Sequence, residues 1–228
     1  MLVIDKLLSA SEVRELRAAL DTVPWLDGGA TAAGMAAEVK RNGQADAADE
    51  AVRSLANTLL ARFGQHPQFT AAALPQRIFP PCFNRYTVGE TYGFHVDAAI
   101  MRIPGTPDVL RSDLSATLFL SEPEDYDGGE LVIQTEFGEQ AHKLPAGSLV
   151  LYPSSSLHRV TPVTRGLRVA AITWLQSLVA CSQTRSTLYE LDRAIQSLMA
   201  TGSAGREQLD ALHNVYHNLV RQHAQVQA

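Results

Sequence analysis

The sequence predicts a mainly β protein with flanking helices, in which a jelly-roll core lies between N-terminal helices and a C-terminal helical hairpin. Residues 75–178 alternate β-branched and aromatic segments with turn clusters, as in a sandwich or jelly roll. The segments on either side repeat apolar residues with helical period. A chain of 228 residues suits one domain with an appendage. We predict a helical region at 1–74 packed on the core, the jelly-roll domain at 75–178 and the hairpin at 179–228.

The N-terminal region is predicted to contain two helices joined by an irregular segment. Ser9 and Glu12 form a capping-box pattern at the start of a helix over 10–21. Residues 26–35 contain three glycines without apolar periodicity, which favours an irregular connection. Apolar residues then repeat with helical period again, which predicts a second helix over 46–64.

The core is predicted to contain six or more strands between residues 75 and 176. Residues 114–121 alternate apolar and mostly polar side chains, which is the pattern of a strand. A turn at 127–129 follows, so we expect residues 130–135 to return beside this strand as a hairpin. Further strands are predicted at 148–152, 158–163 and 167–175.

The C-terminal region is predicted to form a helical hairpin. Apolar residues recur with helical spacing from Leu188 to Met199 and again from Leu209 to Val220, and the glycine-containing segment 201–205 separates the two stripes. A hairpin of this size is too small for an independent domain. We therefore expect it to dock on the core or to form the contact of a homodimer.

Composition and charge exclude several classes of partner. The 19 Lys and Arg residues against 24 Asp and Glu residues give a net charge of −5 without a basic stripe, so we expect no nucleic acid as partner. Neither a secretory signal nor a run of roughly 18 apolar residues is visible, so we expect no membrane segment. Cys82 and Cys181 are far apart and outside any zinc-site spacing, which fits a protein of the reducing cytoplasm.

Two histidines and an aspartate are candidate metal ligands. His95 and Asp97 lie at a predicted strand end, where alternation directs residues i and i+2 to the same face. Antiparallel pairing can bring His158 beside them. Two imidazoles and a carboxylate form the facial triad of non-haem Fe(II) oxygenases, although Mn, Co, Ni or Zn also suit such ligands. For the His-x-Asp tripeptide alone, a partly buried histidine bonded to a carboxylate is the commoner interpretation.

Arg168 adds a second signal. It begins a strand that is otherwise apolar, so its guanidinium is expected to be buried near the candidate ligands. A buried cation needs an anionic partner, because an unpaired buried charge is very costly. A dicarboxylate that chelates the metal through one end and meets the guanidinium with the other would supply that partner. A carboxylate of the protein itself is the alternative.

Longer motifs, in order along nearly the whole chain, carry a resemblance to a known family. They are Asn84-Arg-Tyr86, Glu90-Thr-Tyr-Gly-Phe-His-Val-Asp97, Asp113-Leu-Ser-Ala-Thr-Leu-Phe-Leu-Ser121, Tyr126-Asp-Gly-Gly-Glu-Leu131, Leu144-Pro-Ala-Gly147, Tyr152-Pro-Ser-Ser-Ser-Leu-His158 and Val160-Thr-Pro-Val-Thr-Arg-Gly-Leu-Arg168. With these motifs the chain resembles the bacterial PKHD-type hydroxylases, relatives of prolyl 4-hydroxylase in the Fe(II)/2-oxoglutarate dioxygenase superfamily. Some of these relatives are associated with iron uptake.

The resemblance implies a double-stranded β-helix core that binds Fe(II) and uses 2-oxoglutarate as cosubstrate. By position, it implies His95, Asp97 and His158 as the iron ligands and Arg168 as the partner of the far carboxylate of 2-oxoglutarate. Tyr86 matches a tyrosine that hydrogen-bonds the cosubstrate in related prolyl hydroxylases, and a core tyrosine is the alternative. The resemblance also implies O₂ as the second cosubstrate and ascorbate as a supporting reductant.

One stretch departs from the family pattern. Some prolyl hydroxylases place a further tyrosine for 2-oxoglutarate on the strand after the His-x-Asp loop. This chain has Leu118 and Phe119 in that stretch. Ser115 or Thr117 is the candidate substitute, since each offers a hydroxyl on the same predicted strand.

The predicted activity is hydroxylation of an unactivated C–H bond, with decarboxylation of 2-oxoglutarate to succinate and CO₂. The substrate stays open between a protein side chain and a small molecule such as an iron chelate. Irregular segments at 26–43 and 98–113 are the expected lid and substrate loops. The alternative from another class is a non-catalytic jelly-roll module that senses iron or 2-oxoglutarate. Succinate production distinguishes the two.

Overall fold

Two antiparallel β-sheets form the centre of the molecule, and helices cover the outer face of the larger sheet. This architecture is seen in a computed structural model that describes residues 1–31 and 34–226. The helices are α1 (Ala10–Leu20), α2 (Met35–Glu38), α3 (Glu50–Gln65), α4 (Pro67–Ala73), α5 (Ser182–Thr201) and α6 (Arg206–His223).

Short strands follow one another through the middle of the chain. In chain order they are β1 (Leu2–Ile4), β2 (Trp25–Asp27), β3 (Lys40–Arg41), β4 (Gly43–Ala45), β5 (Pro75–Ile78), β6 (Cys82–Tyr86), β7 (Thr91–His95), β8 (Ile100–Arg102), β9 (Val109–Arg111), β10 (Leu114–Phe119), β11 (Tyr126–Gly128), β12 (Leu131–Thr135), β13 (Gly138–His142), β14 (Leu149–Pro153), β15 (His158–Val160), β16 (Val163–Gly166) and β17 (Arg168–Ser177).

The chain crosses repeatedly between the two main sheets. The larger sheet has the order β1, β14, β10, β17, β6, β4 and β2, and β5 also pairs with β17. The smaller sheet has the order β13, β12, β15, β7 and β3. Thus β10, β14 and β17 belong to the larger sheet, whereas β12 and β15, which lie between them in sequence, belong to the smaller one. This alternation is that of a jelly roll, and it confirms the predicted fold class.

Strand β10 shows how the layers are packed. Its residues Leu114, Ala116 and Leu118 belong to one apolar cluster with side chains of α1, α3 and α4. Phe119, on the opposite face, packs with Leu131 of the smaller sheet. The period of two predicted for this strand therefore places one face under the helices and the other toward the space between the sheets.

The first predicted helix is confirmed as α1, with both hydrogen bonds of its capping box present between Ser9 and Glu12. The second predicted helix begins and ends slightly later, as α3, and the short α4 that follows was not predicted. His66 separates the two helices with an extended backbone conformation. That conformation is expected of a residue that precedes proline, here Pro67.

Three predictions of local structure were wrong. Strand β10 lies between β14 and β17, and β12 between β13 and β15, so the two do not form a hairpin. The connection after β10 carries the chain to the other sheet. Residues 26–35 contain the end of β2, a 3₁₀ turn at Gly28–Thr31 and the start of α2, while residues 32 and 33 lie outside the described part. Residues 98–113 contain the β8–β9 hairpin.

The C-terminal residues form the predicted helical hairpin, which docks on the helical layer. Helix α5 packs against α4, and α6 packs against α5. Gln68 of α4 donates a hydrogen bond of 3.1 Å to the hydroxyl of Tyr189 in α5. In the part of the chain that the structure describes, no helix is both long and apolar enough to cross a membrane. The domain limits at residues 74 and 178 stay predictions.

Candidate active site

Two neighbouring strands of the smaller sheet bring the candidate metal ligands together. His95 ends β7 and His158 begins β15, and the two residues are directly paired in the antiparallel ladder. Paired residues share a face, so both imidazoles lie on the same side of the sheet. The carboxylate of Asp97 lies 4.0 Å from Nε2 of His95 and 3.8 Å from Nε2 of His158. One ligand atom from each residue lies within 4.8 Å of the others, so the three could hold a metal ion.

Backbone carbonyls fix the orientation of both imidazoles. Nδ1 of His95 lies 2.8 Å from the carbonyl oxygen of Gly93, and Nδ1 of His158 lies 3.0 Å from that of Ser156. A carbonyl only accepts hydrogen bonds, so each Nδ1 carries the proton and donates it. In the neutral form of each ring, Nε2 then keeps a free lone pair on the side of Asp97. This tautomer is the one that binds a metal through Nε2.

The protonation state of His95 also suits a metal ligand. Only 8% of its surface is exposed. Burial, and then the neighbouring imidazole of His158, hold the pKa of His95 below its ordinary value. The two rings are close, with centroids 4.2 Å apart. His95 is therefore neutral at neutral pH, and its Nε2 lone pair is available.

Two buried serines hold the carboxylate of Asp97. The hydroxyl of Ser115 donates to Oδ2 of Asp97 at 2.6 Å. Oγ of Ser115 also lies 2.8 Å from Oγ of Ser154. Each serine is 2% exposed. This relay resembles the hydrogen bonds that orient ligands around metals in other proteins.

The candidate ligands line a cavity of about 460 Å³ between the two sheets. This volume is typical of a small-molecule site. Side chains from both sheets form its wall. The five residues to which the resemblance gives a role all line it: Tyr86, His95, Asp97, His158 and Arg168.

Arg168 is buried in this wall without an ionic partner. It is 2% exposed, and no carboxylate of the described residues lies within 4.0 Å of its guanidinium. The rings of Tyr86 and Phe119 lie 5.2 Å and 5.4 Å from the guanidinium carbon and compensate its charge in part. A protein carboxylate, the alternative partner considered from the sequence, is therefore not found in residues 1–31 and 34–226.

Two buried polar atoms at Arg168 lack a hydrogen-bond partner among the described residues. They are Nε of Arg168 and the hydroxyl of Tyr126. Burial raises the pKa of Tyr126, and the Arg168 cation partly opposes this, so the phenol is a neutral donor. Gly129 packs tightly here, since a Cβ atom at this position would lie 3.0 Å from Cδ of Arg168. A guanidinium and a phenol without partners suit a carboxylate ligand.

Tyrosines complete the inner wall of the cavity. Tyr86 is directly paired with Arg168 across β6 and β17, and burial raises its pKa to about 12. Tyr152 is paired with Ser115 across β14 and β10, and its ring lies 5.2 Å from that of His158. Strand β10 has no tyrosine, and the hydroxyl of its Ser115 is already bonded to Asp97. The neighbouring strand β14 contributes Tyr152 to the cavity wall.

The sequence analysis did not identify Ser154, Tyr126 or Tyr152 as site residues. Ser154 belongs to a run of three serines after a proline, a composition typical of a turn. The two tyrosines stand in family-like motifs, but neither motif indicates which face of its strand meets the cavity. Tyr152 enters the site only through its register with Ser115, and the strand pairing that sets this register is not visible in local sequence.

Solved structures resemble this fold at low sequence identity. A Pseudomonas putida prolyl-4-hydroxylase is 22% identical, with a TM-score of 0.52 over 77% of this chain and 91% of that one. The HygX protein of Streptomyces hygroscopicus, solved with nickel, 2-oxoglutarate and hygromycin B, is 14% identical, with a TM-score of 0.52 over 78% of this chain and 83% of that one. These similarities support the jelly-roll fold.

Family models and curated relatives cover the chain almost completely. The 2OG-Fe(II) oxygenase superfamily model matches residues 81–176, and the PKHD-type hydroxylase C-terminal domain model matches residues 183–225. A PKHD-type hydroxylase of Alteromonas mediterranea is 64% identical over 99% of this chain and 100% of the relative. One from Shewanella frigidimarina is 62% identical with the same coverage. The chain therefore belongs to the PKHD-type hydroxylases of the 2OG-Fe(II) oxygenase superfamily.

Proposed function

We propose that this protein is an Fe(II)- and 2-oxoglutarate-dependent hydroxylase with His95, Asp97 and His158 as the iron ligands. One observation carries the proposal: three ligand atoms within 4.8 Å of one another share a cavity with a buried arginine. Fe(II) with 2-oxoglutarate and O₂ supplies the oxidant that hydroxylates an unactivated C–H bond, with release of succinate and CO₂.

The residues of the chain hold and orient the reactants. The two Nε2 lone pairs and the carboxylate of Asp97 would hold Fe(II), which would supply the redox chemistry of the reaction. Arg168 binds the far carboxylate of 2-oxoglutarate, because it lines the cavity and has no ionic partner among the described residues, and the neighbouring hydroxyl of Tyr126 turns to the same carboxylate. Tyr86 donates a further hydrogen bond to this ligand. The apolar cavity wall keeps water from the reacting atoms.

We also infer the cellular setting of the reaction. Ascorbate would serve as the supporting reductant. The enzyme works in the cytoplasm, which is in accord with Cys82 and Cys181 being free thiols. The substrate is a protein side chain or a small molecule such as an iron chelate.

We further propose a homodimer through the C-terminal helices. Helix α6 is amphipathic, yet none of its residues is buried, and Met199 and Val215 of the hairpin are about half exposed (51% and 50%). A second copy of the hairpin would cover these side chains. Size-exclusion chromatography with light scattering tests this, and a strictly monomeric protein would contradict it.

Anaerobic spectroscopy tests the proposed site. Addition of Fe(II) and 2-oxoglutarate to the metal-free protein should produce a weak visible charge-transfer band, and Asp97→Ala should abolish it. Asp108→Ala, which removes a carboxylate that is 54% exposed, is the control and should keep the band. A band of unchanged intensity in Asp97→Ala would exclude the assignment.

Turnover separates an enzyme from a sensor. With oxygen present, the wild-type protein should convert 2-oxoglutarate to succinate, faster when the true substrate is supplied from fractionated metabolite or peptide pools. Mass spectrometry should then show a gain of one oxygen atom in a component of the active fraction. Tight binding of 2-oxoglutarate without any succinate above background would instead support the sensing module.

A further inference from the structure

A second buried cation lines the cavity. Lys40, on edge strand β3, is directly paired with Tyr92 of β7, the strand that ends at His95. It is 5% exposed, and its side chain forms part of the cavity wall. Lysine is almost never buried to this extent without an anionic partner.

The ammonium of Lys40 has only neutral hydrogen-bond partners. It donates to the hydroxyl of Thr31 at 2.7 Å and to the side-chain oxygen of Gln44 at 3.3 Å. Across the described ranges of the chain, no carboxylate approaches it within 4.0 Å. The nearest aromatic contact is the ring of Tyr92, with its centroid 5.4 Å from Nζ. An ammonium has three donors, so one remains for a ligand.

The electrostatic setting of Lys40 favours an incoming anion. Burial lowers the pKa of Lys40, and the more distant Cys82, Asp27 and Asp97 oppose this. An anion in contact with Nζ would stabilise the charged form and offset the desolvation of the ammonium. Thr31 and Gln44 also line the cavity, so the anion would meet a polar wall.

Lys40 and Arg168 lie in different parts of the cavity. Arg168 begins β17 of the larger sheet, whereas Lys40 lies on the edge strand of the smaller sheet. The ring of Tyr92 contacts Lys40 and also stacks on His95, with centroids 3.5 Å apart. Lys40 is therefore separated from the candidate ligand His95 by one aromatic ring. A group bound at Lys40 would lie in the same cavity as the metal ligands, where a substrate must be placed.

The proposed function already accounts for both carboxylates of 2-oxoglutarate. One would serve the metal held by His95, Asp97 and His158, and the other would meet Arg168. Lys40 is then left for a different anion. One ammonium neutralises a single negative charge, so a carboxylate suits it better than a phosphate dianion.

We propose that Lys40, positioned by Thr31 and Gln44, binds a carboxylate of the substrate and holds the substrate in the cavity of the metal ligands for hydroxylation. The inference rests on the proposed function for the placement of 2-oxoglutarate, and it narrows the substrate to a molecule that presents a carboxylate to the cavity. Either a free organic acid or an acidic side chain of a peptide can present that group.

Matched charged and neutral probes test this on the protein loaded with Zn(II) and saturating 2-oxoglutarate. Hexanoate is compared with hexanamide as a free acid, and acetyl-Gly-Glu-Gly-amide with acetyl-Gly-Gln-Gly-amide as a peptide. The carboxylate of at least one pair should bind about tenfold more tightly than its amide, as a charged hydrogen bond requires. Inorganic phosphate is the third probe. Equal affinities within both pairs, or stronger binding of phosphate, would overturn the proposal.

Lysine resonances give a readout on the wild-type protein. The chain contains three lysines, Lys6, Lys40 and Lys143, so ¹³Cε labelling yields a spectrum that single substitutions can assign. The preferred carboxylate should shift the Lys40 signal and leave that of Lys6, which is exposed, unchanged. Binding of the carboxylate without a change at Lys40 would count against the inference even if no variant folds.

Variants separate this inference from the proposed function. Lys40→Met should lose the tenfold preference, Lys40→Arg should keep part of it, and Lys6→Met should keep it fully. If Lys40→Met weakens 2-oxoglutarate binding as much as Arg168→Met does, Lys40 belongs to the cosubstrate site and the inference fails while the function stands. If 2-oxoglutarate does not bind the metal-loaded wild-type protein, the proposed function itself fails.

Discussion

The metal-ligand cluster and the pocket around Arg168 share one cavity, but they differ in how far the protein satisfies its own polar groups. In the cluster, Nδ1 of each histidine is bonded to a backbone carbonyl, and Asp97 accepts from Ser115. In the pocket, Nε of Arg168 and the hydroxyl of Tyr126 are buried without partners among the described residues.

This difference separates two ways of building a binding site. The cluster is fixed before any ligand binds. Each of its three side chains makes a hydrogen bond through an atom other than the proposed metal-binding atom, and this bond fixes its orientation. The pocket is completed only by its ligand. A buried polar atom without a partner costs about 1–3 kcal/mol, more when charged, so the ligand-free pocket reduces stability and ligand binding restores it.

Arg168→Met is expected to give the largest effect. Loss of the guanidinium, a charged bidentate hydrogen-bond donor, should raise the Kd of 2-oxoglutarate by about 100-fold or more. The same change should make the ligand-free protein more stable, by about 1 kcal/mol or more, because an unpaired buried charge is removed and the apolar stem is kept. Calorimetric titration of the Zn(II)-loaded protein and urea unfolding of the ligand-free protein measure the two effects.

Arg165→Met is the matched control for that experiment. Arg165 lies three residues earlier, is 57% exposed and pairs with Asp127 at 2.7 Å. Surface ion pairs contribute little, so neither the Kd nor the stability should change appreciably. A ligand-free Arg168→Met protein that is less stable than wild type would show that the pocket is satisfied without a ligand, and the comparison would not hold.

Ser115→Ala tests the other side of the comparison. Removal of the hydroxyl frees Asp97 to rotate and removes the contact between Ser115 and Ser154, so metal affinity should fall by about 10–100-fold. Competition with a fluorescent zinc chelator measures the loss. Ser155→Ala, an exposed neighbour of Ser154, is the control. Unchanged metal affinity in Ser115→Ala would mean that the serine relay does not orient the ligand.

Sequence periodicity predicted the strands but not their partners. The alternation of Leu114, Ala116 and Leu118 with polar residues reflects two faces with different surroundings, and the structure has these two faces. The expected hairpin from 114 to 135 was wrong because a turn signal shows where a strand ends, not which sheet the next strand joins. In a jelly roll, consecutive strands often change sheet.

The candidate site could be predicted to the extent that it depends on short spacings. His95 and Asp97 are two residues apart, and His158 ends a short continuous motif. All three were therefore singled out from the sequence. Tyr152 and Lys40 were not, because each enters the cavity through pairing with a distant strand, at Ser115 and at Tyr92. A register between distant strands is set by the whole fold, which a single sequence does not display.

Tyr126→Phe is expected to change the Kd of 2-oxoglutarate least. It is the most specific test of the pocket around Arg168, because it removes a single hydroxyl group. The hydroxyl has no partner among the described residues when the ligand is absent, so its removal should cost no stability in the ligand-free protein. With 2-oxoglutarate it gains one hydrogen bond, so the variant should raise the Kd by about 3–10-fold. In the control Tyr189→Phe, a hydroxyl that accepts from Gln68 is lost, and stability should fall while the Kd is unchanged. Equal stability losses in both variants would indicate that Tyr126 is bonded before the ligand binds, and the pocket would then resemble the metal cluster.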